Sequence, residues 1–466
     1  MKRLSIAAIS VRFIFVLGFV VWAFQISLSV AFGAEKLSES YQSLEFDEAE
    51  GEETSSLLPE SMILVWDINY TIYAHRQDHL LNPEKTFFSF DHRKALTSLD
   101  LEWTPKLSES LSLRTREVLE YISLDRKSDI GITLLEGYFE WKNRHQDVIV
   151  DIGKIKLEWG SGYAWRPTQV LFEGDNSVDT DKESAAGVEM ALLEFVIKNT
   201  TNTLLVAGMK DEDDSGNNNQ LQAAYRISLE SQSWELSLLY HKTSDAVITT
   251  GLSFTGLLSD ALEIHGEWAS SNKRDRLTIA KASDGFQTGP VYLPARYEYK
   301  QDSSHRNFDK MLIGAQYTFA NDMNVIFELY RTMHGYSETE WQRIQTGIDE
   351  ALTDNVWKNE LSSSQGNPYA GFLQQTMGLN ETVSLRQNYL FLRWTTGESE
   401  DLWEWEQIVQ LNLDDYSQIS VGKLRKSWSI STKTEFSCHF FRGDRYSEQE
   451  LNPYAEFCSL SMVMGF

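Results

Sequence analysis

The sequence predicts an all-β fold: a transmembrane, antiparallel, up-and-down β-barrel of about 18 strands, with 16 as the alternative count. Three observations carry that expectation. Apolar residues recur at every second position in segment after segment, the period of a strand with one greasy and one wet face. Connections alternate between short turns and long loops, as periplasmic turns and extracellular loops do. Aromatic residues cluster beside the short turns, where an amphipathic ring suits a membrane interface.

Taken in chain order, the first segment is an export signal. Lys2, Arg3 and Arg12 precede an apolar run from Phe13 to Ile26, and Ala31, Gly33 and Ala34 follow. This pattern reads as a signal peptide over 1–33, cleaved after Ala31 or Gly33. The alternative is a retained helix, for which the run falls short of the ~20 residues a span needs. Next, "EKLSESYQSLEFDEAEGEE" (35–53) has eight acids and one Lys. Such a stretch buries too little to fold, so 34–61 is expected to be a disordered, acidic periplasmic segment.

The barrel domain is expected over 62–466. In "MILVWDINYTIYAH", Met62, Leu64, Trp66, Ile68, Tyr70 and Ile72 share one face; Asp67, Asn69 and Thr71 share the other. "LQAAYRISLE", "SWELSLLYH", "ALEIHGEW" and "MLIGAQYTF" repeat the pattern. Strands are placed at 62–74, 95–104, 111–122, 130–141, 148–158, 188–197, 203–209, 220–229 and 233–241. They continue at 247–256, 261–269, 310–319, 324–333, 387–395, 402–413, 416–424, 428–440 and 457–466. Short connections include "KNRHQ", "ESQ", "SDA", "AND" and "RKS"; long ones span roughly 160–187, 270–309 and 334–386. Trp103, Trp141, Phe195, Phe254, Phe319 and Trp394 lie just before short turns, Trp234 and Trp428 just after. The final "FCSLSMVMGF" alternates to Phe466. It reads as the strand that closes the barrel on the first, since open edges cannot stand in lipid.

Charged side chains cost ~2–4 kcal/mol on the lipid face at mid-membrane, so they belong in the lumen. Arg114, Arg116, Glu136, Glu140, Glu189, Glu263, His265, Glu267 and Glu328 are the pore-lining candidates. Either parity is open for 148–158; if Gly153, Ile155 and Leu157 face lipid, then Lys154, Lys156 and Glu158 join them. "YSETEWQRIQTGIDEALTDNVW" (336–357) reads as a helix, with Ser337 and Glu340 as a capping box and Trp341, Ile344 and Ile348 in its apolar stripe. Trp341 and Ile344 are candidates for a constriction or plug, unless the helix packs over the outer rim. Arg166, between Trp165 and Pro167, is another constriction candidate. Cys438 and Cys458 fall on apolar faces of the last two strands, either as two lipid-facing thiols or as a disulfide across neighbouring strands.

Composition excludes some classes. The 466-residue chain has formal charge -26, and loss of the signal makes it more negative. Nucleic acid needs a basic face and is not an expected partner. Mean hydropathy is -0.36 despite 14 Trp, 19 Tyr and 24 Phe. The nine His form no Ser/His constellation and no metal-ligand spacing. No enzyme activity, metal or cofactor is expected.

"DIGKIKLEWGSGYAWRPTQVLFEGDN" (151–176) resembles a segment of large porin-like outer-membrane proteins, including the alginate-export-like group. In these, a strand runs into Trp-Gly and then an extracellular loop with an aromatic-x-Pro-Thr step. "NYLFLRWT" (388–395) and "QLNLDD" (410–415) are similar to later strands of such proteins. The resemblance implies a Gram-negative outer-membrane barrel whose terminal Phe466 is read by the assembly machinery. With lipid and lipopolysaccharide outside, a barrel this wide encloses an aqueous lumen. The expected function is a channel for small polar solutes or ions, cation-preferring because of the acidic excess. The alternative is a plugged barrel serving polymer export or assembly.

Overall fold

A computed structural model describes residues 62–466, apart from single positions and short stretches of which the longest are 172–185, 211–218, 282–286, 293–296, 354–367, 380–383 and 397–402. The expected signal peptide and acidic segment lie outside the described residues, as does the end of the expected 336–357 helix.

The wall begins with β1 (Met62–His75), β2 (Arg93–Trp103), β3 (Leu111–Leu124), β4 (Ser128–Lys142) and β5 (Val148–Ile155). It continues through β6 (Val188–Ile197), β7 (Thr200–Lys210), β8 (Asn219–Glu230), β9 (Trp234–Thr243), β10 (Ile248–Ser259) and β11 (Leu262–Ser271). Four short strands leave the wall: β12 (Thr278–Lys281) pairs with β15 (Tyr297–Lys300), and β13 (Gln287–Thr288) with β14 (Val291–Tyr292). The wall resumes with β16 (Phe308–Thr318), β17 (Asn324–Thr332), β18 (Asn388–Thr395) and β19 (Trp403–Asn412). β20 (Gln418–Ser429), β21 (Thr432–Arg442) and β22 (Tyr454–Gly465) complete it. Neighbours pair antiparallel in sequence order, and β22 returns to β1, with Val65 opposite Gly465 and Tyr70 opposite Leu460. The result is a closed 18-stranded sheet. Closure satisfies every edge through the sheet itself, which a wall standing in lipid requires.

The period-two pattern decides which side faces out. Ile132, Ile152, Leu221, Leu238, Ile313 and Phe436 are among the exposed outer residues, while their strand neighbours Asp151, Gln222, Ser237, Leu312 and Ser437 point inward. The outer face ends in rings near the short turns, with Trp103, Trp141, Trp234, Trp403 and Trp428 all exposed.

Three details refine the expected pattern. "RKS" (425–427) is inside β20 rather than a turn; the connection falls at 430–431. Arg425 faces lumen carboxylates and Lys426 lies over the Trp403 and Trp428 rings, so two cations that read as a turn have partners on opposite faces of one strand. The parity of β5 is settled by Ile152, which is opposite the exposed Phe139. Lys154 therefore faces outward, and so does its cross-strand partner Glu189; neither is a lumen residue. Glu117 also faces outward, opposite Leu134 and Leu101, against the rule that seats charge in water.

The extracellular loops share a core of their own. α1 (Glu338–Leu352) and α2 (Pro368–Gly378) lie in the long β17–β18 connection. The capping box of Ser337 and Glu340 is formed. Trp341, Ile344 and Ile348 pack with Phe372 and Leu373 of α2, Ile279 of β12, Leu81 of the β1–β2 loop and Leu451 of the β21–β22 loop.

Candidate functional site

The connection after β5 lies against the inner face of the wall, bonded to Glu267 and Glu328. Its "GSGY" run has no room for side chains at two points. A Cβ on Gly162 would meet the Trp165 carbonyl oxygen at 1.9 Å, and Gly160 sits at φ +106° against Glu267. Freed to turn tightly, the segment aims its amides at the wall. Glu267 of β11 accepts from the Ser161, Gly162 and Thr168 backbone N–H at 2.5, 2.8 and 2.9 Å, and from the Thr168 hydroxyl at 2.7 Å. Glu328 of β17 accepts from the Tyr163 and Ala164 N–H at 2.6 and 2.9 Å, and bonds His265 Nε2 at 2.9 Å. Both carboxylates are buried. Charge-assisted bonds of this kind are about twice as strong as neutral ones.

Aromatic packing completes the seat. Trp165 stacks on Tyr330 with ring centroids 4.8 Å apart and 10° between planes, and its Nε1 donates to Ser384 Oγ at 2.8 Å. It joins Ile326, Tyr389, Phe391, Ile408 and Val421 in one apolar cluster. Trp159 joins another, with Ile155, Leu171, Leu192 and Leu205. Between these anchors Arg166 stays 38% exposed; its guanidinium donates to the Gly162 carbonyl oxygen at 3.1 Å and to Glu158 at 3.2 Å. Lys156 reaches Glu158 at 3.4 Å.

The rest of the inner wall is laced with ion pairs, most of them cross-strand. Arg116 grips Asp100 through two nitrogens, at 2.7–3.2 Å. Arg114 lies 3.1 Å from Glu102 and 3.8 Å from Glu136, and Lys142 meets Glu140 at 2.9 Å. Arg425 touches Glu404, Glu406 and Glu435 at 2.9, 3.0 and 2.6 Å, and Arg393 reaches Glu406 at 2.7 Å.

The sequence-derived candidates thus divide. Arg114, Arg116, Glu136 and Glu140 line the β2–β5 side. Lys156, Glu158 and Arg166 sit on the inserted segment, beyond the end of β5. Glu267, His265 and Glu328 meet beneath that segment, where two of the three hold it. Glu263 faces inward on β11, half-buried, with no ion-pair partner among the described residues. Lys154 is excluded by its outward parity; its Nζ donates to the Leu134 carbonyl oxygen at 2.6 Å. Trp341 and Ile344 are 1% and 0% exposed in the core of the extracellular loops, so they line no passage. Cys438 and Cys458 are joined as a disulfide on the outer face. Sequence reasoning passed over Arg393, Glu404, Glu406, Arg425 and the tether donors Ser161 and Thr168. The inward parity of β18–β20 marks the first four; nothing in the sequence marks the donors. No group of three metal-ligating side chains occurs among the described residues.

No family model and no curated protein matches the sequence. Solved structures do. Pseudomonas aeruginosa OccK5 (OpdH) superposes with TM-score 0.50 at 10% identity, covering 87% of this chain and 97% of that one. Acinetobacter baumannii OccAB1 gives TM-score 0.50 at 8% identity, over 87% and 96%. Both belong to the Occ/OprD outer-membrane porins. The fold is that of a large outer-membrane barrel. At such identity the likeness reaches the architecture and stops there.

Proposed function

We propose that the chain is a channel of the Gram-negative outer membrane, passing small polar solutes or ions through a lumen narrowed by residues 156–171. The observation that carries this reading is the tether: five backbone amides of one inserted segment are held by two buried wall carboxylates, Glu267 and Glu328. A rigidly seated segment leaves a passage of fixed width, and rows of paired charges beside it offer a solute both signs of partner. The acidic excess of the chain supports cation preference. The porin fold of the similar structures and their outer-membrane setting support the location and the absence of catalysis. Lipid and lipopolysaccharide outside, and assembly-machinery recognition of Phe466, belong to the same reading.

A second reading has its own observation. Four extracellular connections share an apolar core, which fits a closed lid and a role in export or assembly. Planar-bilayer recording separates the two. A channel gives ohmic openings, with a reversal potential in a salt gradient on the cation side. Silence that ends when 334–386 is deleted identifies a lid, and anion selectivity refutes cation preference.

A further inference from the structure

The outer wall of β11, β16, β17 and β18 carries a groove of about 510 Å³. Register explains its shape. Trp268, Met311, Arg331 and Asn388 lie directly opposite one another across the four strands. Two residues nearer the periplasm, the next outward row is Gly266, Ile313, Leu329 and Leu390. Gly266 removes one side chain from that row, so the wall is hollow beside Ile313. The groove is therefore apolar at its deeper end and polar at its extracellular end, the order of an acyl chain below its headgroup.

Arg331 is the feature that the channel reading leaves unused. It is exposed, it points away from the lumen, and it lies at the extracellular end of β17, where headgroups begin. In a chain of charge -26, the arginines of the inner wall and loops are matched to carboxylates: Arg114, Arg116, Arg226, Arg274, Arg393 and Arg425 each hold one. Arg331 has no ion-pair partner among the described residues. Asp309 shares its face one row nearer the rim without reaching ion-pair distance. An unmatched guanidinium at this height is a fork for phosphate oxygens; the Asn388 amide beside it is held by Asp414 Oδ1 at 2.6 Å, so Arg331 alone carries the phosphate.

We propose that this groove holds an anionic membrane lipid, its acyl chain along Leu329 and Ile313 and its phosphate on Arg331. The proposal rests on the membrane-barrel reading and adds a fixed lipid to it. A glycerophospholipid and a phosphorylated glucosamine lipid present the same phosphate and chain, and the test separates them.

Delipidated full chain in detergent is titrated with palmitoyl-oleoyl phosphatidylglycerol, with bis-phosphorylated lipid A, or with palmitoyl-oleoyl phosphatidylcholine, and one-lipid adducts are counted by native mass spectrometry. The anionic lipids are expected to bind in preference to the zwitterionic one, and the stronger of the two arms names the source. Arg331→Gln should lower the anionic adduct on the order of tenfold, the equivalent of about 1.4 kcal/mol, while Arg331→Lys retains most of it. Adducts equal for all three lipids, or unchanged in Arg331→Gln, overturn the proposal. Because Arg331 lines no part of the lumen, Arg331→Gln should conduct as the parent does. A parent that conducts but binds no anionic lipid refutes the lipid site alone, whereas a parent that takes up no detergent refutes the barrel reading.

Discussion

Glu267 and Glu328 show how much one carboxylate can organise. Each has two oxygens aimed at a fan of N–H donors that have no other partner among the described residues. Glu267→Gln keeps the shape but loses the charge and turns one acceptor into a donor facing donors. The segment should then be held more weakly by on the order of 2–3 kcal/mol. Single-channel traces are expected to become noisier with larger mean openings, and Glu328→Gln should act the same way. Quiet traces of parental size in both variants contradict the tether.

Glu340 works likewise outside the membrane. Burial alone would raise its carboxyl, but hydrogen bonds from Arg274, the Ser337 backbone and Thr278, with the Arg274 charge, outweigh that and bring it down to about 2. Arg274 is 1% exposed and also donates to the His334 and Gly335 carbonyl oxygens. A carboxylate whose folded pKa lies below its unfolded value of 4.5 gives stability that is complete above 4.5 and lost as pH falls through about 2. The shift is equivalent to about 3 kcal/mol. Pepsin should spare the β17–β18 connection at pH 4 and cut it increasingly toward pH 2, and Glu340→Gln should already be cut at pH 4. Equal cleavage of parent and variant at pH 4 would remove Glu340 from this role.

Among elements, the strands were legible because each samples two solvents in alternation, and hydropathy records both. Boundaries slipped where a charge had an unforeseen partner, as Arg425 and Lys426 did in β20. β5 could not be resolved from sequence because its inward residues include Ile149 and Ile155, apolar on a side expected to be wet. Ile155 is apolar because the inserted segment covers the wall there, where it packs under Trp159. The insertion was legible only at Arg166, between Trp165 and Pro167; its anchors were not, since Trp159 and Trp165 read equally well as loop residues meeting solvent. The helix was legible from its cap and stripe, but its stripe could not name the surface that covers it. The β21–β22 hairpin carries the disulfide, which restrains the closing strand against its neighbour. Cys438→Ser or Cys458→Ser is expected to destabilise the barrel by ~2–4 kcal/mol. The temperature at which the folded band is lost in an unboiled detergent gel should fall, and an unchanged temperature would show that the bond restrains nothing.

At the scale of the whole molecule, one arrangement accounts for both the acidity and the grease. Formal charge of -26 and a mean hydropathy of -0.36 would describe a soluble protein. Yet Ile132, Ile313, Leu221 and Leu238 stand more than half exposed on a closed wall. Water inside and hydrocarbon outside reconcile the two, with the charges paired along the inner wall and the exposed apolar residues in acyl chains. On β9, Leu238 points outward and Glu235 inward, three residues apart on one strand. Nitroxide labels at Leu238→Cys and Glu235→Cys, in a background free of the native cysteines and reconstituted in lipid vesicles, test this directly by power-saturation spectroscopy. The label at 238 should be relaxed by dissolved oxygen and ignored by a water-soluble nickel chelate, and the label at 235 the reverse. Strong nickel relaxation at 238 would mean that water meets the apolar face, and the membrane-barrel account would be wrong.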